Sequence, residues 1–560
     1  MSLALGVSLP PDSAHALSVS LPTWADVVGY EEGRPEVLAA LACGYPRFFV
    51  HPFVTALVTR LKARAAAAFS EGADWDLAVS PTRATAHRLR DFLLATARNA
   101  NAAVADADVA VERVRGGAVF AVRFPARLAA AARQFWQHSG EIVSSRHAQL
   151  VLALLERDES ESESEAAEAD APHAVAAGLR MQHTRAHAAL RARIAALYAG
   201  APSADDVFVY PTGMAAIFAS VRLASRLRSG AKSLLVGFPY VDTLKILSRA
   251  EWCAGGVHFV PVASEPELRA AEDVAQREPL FAVVTEFPGN PLLSTPDLGR
   301  LARLAHANGA VLVVDDTVGS YNVDVLQRAG ADVVTTSLSK LFSGTCAVMG
   351  GSVVLNPAGP FYAALKREAA RMGDNNDDDD DGGGGYLIEE DAHALLESSA
   401  DLLERLARVN RTTSVLVQRL RVHPLVQRLY YPEVDNPDGY NKYRSVTNGG
   451  SSSSSAEPRF GPLFSLVLKG GLAAASAFYD ALDVAKGPSL GTNFTICCPY
   501  TLLAHYAELD FAEACGVDRH LLRISVGLED ADALWAAIER ALQAATVALE
   551  REESAAALSE

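Results

Sequence analysis

In the stretch VVTTSLSKLFSG (333–344) a single lysine closes an apolar, β-branched run and stands among hydroxyls, with Ser337 and Ser339 placed three and one residues before Lys340. Two other apolar runs end in groups that could share chemistry with it. VLVVDDTVGS carries Asp315 and Asp316 at its end, 25 residues before Lys340. VFVYPTG (207–213) leads through Thr212, a good N-cap, into Gly213 and Met214, whose N–H groups would open a helix and attract an anion. In open α/β sheets ligands gather at the carboxyl ends of the strands, so the spacing predicts that all three ends border one crevice. A plain Asp315–Lys340 salt bridge would satisfy both charges. It leaves Ser337 and Ser339 unexplained, because their hydroxyls suit an anion and add nothing to an ion pair.

One cofactor accounts for the three ends together. Pyridoxal 5'-phosphate (PLP) needs a lysine amine to carry its aldehyde carbon, an acid to keep its ring nitrogen protonated, and a cup of N–H and hydroxyl groups for its phosphate. Lys340 would be the amine, Asp315 the ring-nitrogen partner, and Gly213, Met214, Ser337 and Ser339 the cup.

Longer motifs point the same way. EFPGNPLL (286–293), VVDDT (313–317), ADVVTTSLSKLFSGTCAVMGG (331–351), GPSLGTNFT (487–495) and LLRISVGLED (521–530), in this order, resemble the Cys/Met-metabolism family of PLP enzymes. With SLPTWADVVGYEEG, YPRFFVH and RQFWQHSGE near the N-terminus, the resemblance is closest to the fungal-type cystathionine γ-synthases. It implies the type I PLP-transferase fold, aspartate-aminotransferase-like, and an enzyme that replaces the acyl group of an O-acyl-homoserine by cysteine. A sulfhydrylase, a γ-lyase or a catalytically silent PLP-fold binding protein are the alternatives.

The resemblance further implies that Tyr240 stacks on the cofactor and assists Lys340 in proton transfer, that Asn290 borders the ring, and that Ser489 and Arg523 hold the substrate carboxylate. A guanidinium suits that last task because it binds a carboxylate through two parallel hydrogen bonds. It also implies a homodimer or homotetramer with a shared active site. There Arg146, in VSSRHAQ (143–149), would reach a neighbour's phosphate, with Ser144 standing where many relatives carry tyrosine. Asp316 would lie beside Asp315 without sharing its role, and Cys346 is read as packing.

The elements that must position these residues are legible as apolar runs alternating with helices. VFVYPTG, SLLVGFPY (233–240), VHFVPV (257–262), LFAVVTEFP (280–288), AVLVVDDT (310–317) and DVVTTSLSK (332–340) read as strands buried on both faces, so a mostly parallel sheet is expected. From about residue 395 one long amphipathic helix and mixed strands predict an α+β C-terminal domain. The expected organisation is an N-terminal extension over 1–140, a large PLP-binding α/β domain over 141–395, and a C-terminal domain over 396–560. Low-complexity runs at 157–171, 373–385 and 448–458 cannot bury enough apolar area to repay ordering and read as mobile surface insertions.

Composition narrows the function class. The 560 residues carry a formal net charge of −17, which repels nucleic acid and anionic membranes. No run is long and apolar enough to span a bilayer, and the N-terminus lacks the features of a signal peptide. The six cysteines are scattered without a C-x-x-C pair, so no zinc site is expected and a reduced, cytoplasmic setting is. The expected partners are small amino-acid substrates.

Overall fold

The computed structural model describes residues 3–66, 74–162, 184–200, 202–373, 385–445 and 459–559. Its centre is a seven-stranded sheet. From one edge to the other the strands are Val207–Tyr210, Gly351–Leu355, Val333–Ser337, Val311–Asp315, Leu280–Glu286, Lys232–Val236 and Val257–Val260. Alternate side chains of each strand enter different cores. Leu312 and Val314 pack on one face, Val311 and Val313 on the other. Burying each such aliphatic side chain stabilises the sheet by about 1.5–3 kcal/mol, so an apolar run has no solvent face to give up.

Six of the seven strands match the expected runs. Gly351–Leu355 does not, because it opens on the second of two adjacent glycines, which read as a turn. It runs antiparallel to both neighbours and sets Gly351 opposite Tyr210 on one side and Ser337 on the other. A Cβ at Gly351 would meet Thr212 O at 2.2 Å, so glycine lets the Thr212–Gly213 turn close over the strand that leads to Lys340.

The C-terminal domain holds a five-stranded sheet in which Leu522–Ser525, bearing Arg523, is the middle strand. The single long helix expected after residue 395 is broken. Glu389–Ser398 and Leu402–Leu420 are separate helices. At the break Ser399 Oγ donates to Leu395 O at 2.6 Å, and Arg405 takes Ser398 O at 3.0 Å. These side-chain bonds compete with the helix ladder.

Residues 1–140 were expected to form one extension, and the described part is two pieces. The first is a strap that touches both larger domains: Leu17 N donates to Cys346 O in the α/β domain, and Leu21 N to Lys486 O and Trp24 N to Asp480 in the C-terminal domain. The second is a small α/β unit whose antiparallel sheet has Val119–Pro125 between Trp75–Ser80 and Ala110–Val114. Residues 157–162 of the first low-complexity run complete the helix Ser145–Ser162. Its remainder, nearly all of the second run and the whole third run lie outside the described residues. No helix among the described residues is long and apolar enough to cross a membrane.

Candidate active site

The strand ends converge on a cavity with about 760 Å³ of open space, its mouth included. Lys340 lies in the turn after Val333–Ser337 and Asp315 ends its own strand. Gly213 opens the helix Gly213–Leu227, where Thr212 Oγ1 accepts from Ala215 N at 2.9 Å and donates to Gly140 O at 2.8 Å. Gly213, Met214, Asp315, Ser337, Lys340 and Tyr240 all line this space, as do Asn290 and Arg523.

The electrostatics are those of a site short of counter-charges. Lys340 Nζ reaches Ser489 Oγ at 3.5 Å and, among the described residues, makes no ion pair. Asp315 Oδ1 accepts from Thr317 N at 2.9 Å, and burial raises its pKa. Burial first, and Asp315 second, push the neighbouring Glu286 carboxyl up to about 8, although it accepts from the N–H groups of Tyr240 and Asn290. Asp316 points elsewhere. It is gripped by Thr336 at 2.5 Å and Tyr198 at 3.0 Å and raised by burial to about 7.

Arg523 stands opposite, with its guanidinium 4.8 Å from the Tyr500 ring. It donates to Asn290 Oδ1 and to Ser489 O, both at 3.0 Å, and has no carboxylate partner among the described residues. Ser489 therefore contributes its carbonyl to Arg523 and its hydroxyl to Lys340. Cys346 is buried near Lys340 and its thiol is raised by burial to about 11, so it stays protonated as a packing group.

Two of the residues named for a phosphate, Ser339 for this chain's and Arg146 for a neighbour's, lie outside this cavity's lining. Ser339 is buried outside the lining, where its Oγ accepts from Gly350 N at 3.0 Å and donates back to Gly350 O at 3.3 Å. Arg146 does not face this chain's cavity. It donates to Ala347 O at 2.9 Å and pairs with Asp391 at 3.3 Å, while Ser144 Oγ accepts from His147 N at the helix start.

A tyrosine–x–arginine triplet does reach the cavity, from the segment YPRFF. Tyr45 lays its ring 4.4 Å from Lys340 Nζ. Arg47, 1% exposed, pairs at 2.5 Å with the fully buried Asp242 and donates to Tyr240 Oη and Gln137 O. Burial alone would raise the Tyr45 phenol, but the Lys340 and Arg47 cations outweigh it and bring its pKa below the ordinary tyrosine value. Tyr240, by contrast, is raised well above that value by burial.

Comparison with known proteins settles the family. Residues 174–543 match the description "Cys/Met metabolism PLP-dependent enzyme", and residues 53–144 match "Fungal trans-sulfuration enzyme, N-terminal domain". The chain belongs to the Cys/Met-metabolism family of PLP-dependent enzymes. A cystathionine γ-synthase of Neurospora crassa is 34% identical to it, covering 97% of this chain and 98% of that one. An alanine racemase of Aspergillus violaceofuscus is also 34% identical, with 97% of each chain covered. In fold the chain is similar to a cystathionine γ-synthase from Xanthomonas oryzae, with a TM-score of 0.53 over 65% of this chain and 87% of that one, at 24% identity.

The residues present fit PLP. A Cβ at Gly213 would lie 2.6 Å from Ser337 Cβ, so the helix start and the serine form a cradle that only glycine leaves open. Across the cavity a half-buried acid and a half-buried lysine each lack an oppositely charged partner among the described residues, the complement of a cationic ring nitrogen and an aldehyde.

Proposed function

We propose that this enzyme catalyses γ-replacement, joining the four-carbon chain of an O-acyl-homoserine to the sulfur of cysteine to give cystathionine. When bound, PLP supplies an aldehyde that captures the substrate amine and a ring that stores the electron pair released at Cα. Gly213, Met214 and Ser337 would hold its phosphate and Asp315 its ring nitrogen. Arg523 would orient the substrate by its α-carboxylate, with Asn290 and Ser489 fixing the guanidinium. Lys340 Nζ is the base at Cα and Cβ, and the acidified Tyr45 phenol beside it exchanges protons with that amine. Tyr240 keeps its proton, tied to Arg47, and packs the ring side of the cavity.

The observation that carries the reading is a second chamber. It holds about 1590 Å³ of open space including its mouth, and shares Tyr45, Phe48, Tyr240, Pro488 and Arg523 with the reaction cavity. A racemase, the reading favoured by the Aspergillus relative, moves one proton at Cα and has no use for space beside the site. A replacement enzyme needs it for the second reactant.

The test is a product assay with PLP-loaded protein, O-acetyl- or O-succinyl-homoserine, and cysteine or sulfide. Cystathionine as the main product supports the synthase and names the donor. Homocysteine formed from sulfide in preference moves the activity to a sulfhydrylase. Racemised alanine without any thioether product refutes γ-replacement.

A further inference from the structure

The second chamber carries charges that the chemistry above leaves unused. Two carboxylates line it, Glu31 and Glu508. Glu508 is engaged by His505 Nδ1 at 2.9 Å, and the neighbouring Glu32, outside the lining, takes Tyr506 Oη at 2.7 Å and Arg34 Nε at 2.8 Å. Glu31 has no such partner among the described residues. It is half-buried, burial lifts its pKa to about 8, and no cation acts to lower it. It is also the last residue of the helix Trp24–Glu31, where the helix dipole disfavours negative charge. Burial, dipole and the lack of a cation all work against a carboxylate here, so Glu31 does nothing for the stability of the chain alone.

The same chamber is also lined by two cations, Arg133 and Lys245. Arg133 keeps its place by donating to Phe48 O, and Lys245 on the helix Val241–Ser248 is half-buried with no ion pair among the described residues. An unpaired acid and an unpaired amine in one chamber complement a zwitterion. The aromatic side chains Tyr30, Phe48, Tyr500 and Tyr506 in its lining lower the local polarity, which strengthens such contacts.

We infer that this chamber is the acceptor subsite for a thiol-bearing amino acid, with Glu31 receiving its ammonium group and Lys245 and Arg133 attracting its carboxylate. The inference rests on the γ-replacement reading. It makes Glu31 a specificity residue: an acceptor with an ammonium group is recognised by it, and sulfide is not. The strap that carries Glu31 thereby chooses the second substrate, while the central sheet provides the chemistry common to the family.

The test is steady-state kinetics of the PLP-loaded enzyme at saturating O-acyl-homoserine, varying cysteine or sulfide, for the native chain, Glu31→Gln and Glu31→Asp. Loss of a charge-assisted hydrogen bond should raise KM for cysteine about tenfold to a hundredfold in Glu31→Gln. In the same variant kcat and the KM for sulfide stay within about twofold, and Glu31→Asp recovers part of the loss. A KM for cysteine within about threefold of the native value, or an equal rise with sulfide, overturns the inference while leaving γ-replacement intact. If the native enzyme forms no thioether from either acceptor, the γ-replacement reading fails first and takes the inference with it.

Discussion

Asp242→Ala tests whether the N-terminal strap is held in the active site by one buried ion pair. Asp242 and Arg47 are 0% and 1% exposed at 2.5 Å separation, and among the described residues Asp242 otherwise takes only Gln137 Nε2 at 3.2 Å and His138 at 3.8 Å. Removing the acid leaves a guanidinium buried with Tyr240 and the Gln137 carbonyl as its remaining partners. Breaking such a pair from one side costs about 3–5 kcal/mol, because the desolvated charge stays behind. Since about 1.4 kcal/mol is a factor of ten, opening of the strap should become more frequent by roughly two to three and a half orders of magnitude. Hydrogen exchange over residues 41–51 reads this directly, as the amides of Phe48 and Phe49 are bonded to Tyr45 O. The double variant Arg47→Met/Asp242→Leu should recover most of the protection, since no lone charge remains. Protection within about tenfold of native in Asp242→Ala, with additive effects in the double variant, would refute the reasoning.

Other outcomes follow from the same geometry. Lys340→Ala should abolish the yellow absorbance of the lysine-bound cofactor while leaving the thermal melt of the protein cooperative. Gly213→Ala places a methyl group 2.6 Å from Ser337 Cβ and should weaken PLP binding more than about tenfold in a titration. Tyr45→Phe should lower kcat by roughly a hundredfold or more with little change in donor KM, because it removes the acidified phenol beside the base. In the cofactor-free chain Glu286 keeps its proton when folded and loses it from 4.5 upward when unfolded. The unfolded state therefore gains on the native one as pH rises toward about 8, and urea unfolding should show Glu286→Gln increasingly more stable than the native chain across that window, with no gain below it.

The chemistry at the sheet was readable because of what burial does to a sequence. Strands buried on both faces read as unbroken apolar runs, so Asp315, Lys340 and Gly213 stood out where those runs end. Register did the rest, since strands of similar length bring their ends to one rim. Tyr45 and Arg47 were not readable as site residues because Tyr240 and Asp242 lie almost 200 residues from Arg47 and Lys340 almost 300 from Tyr45, and a strap without period leaves no trace of where it docks. Glu31 carries no sequence signal, because only the chamber around it shows that no cation among the described residues pairs with it. Ser339 was misplaced because alternation along a turn is not alternation along a strand, and a two-residue step from Ser337 does not return to the same side.

The most direct test of γ-replacement is the reaction run in D₂O with an O-acyl-homoserine and cysteine, with the product read by NMR. Lys340 as base at both carbons predicts cystathionine carrying deuterium at Cα and at Cβ of the four-carbon half. Deuterium confined to Cα of recovered amino acid, with no new carbon–sulfur bond, would contradict it and assign the site to racemisation.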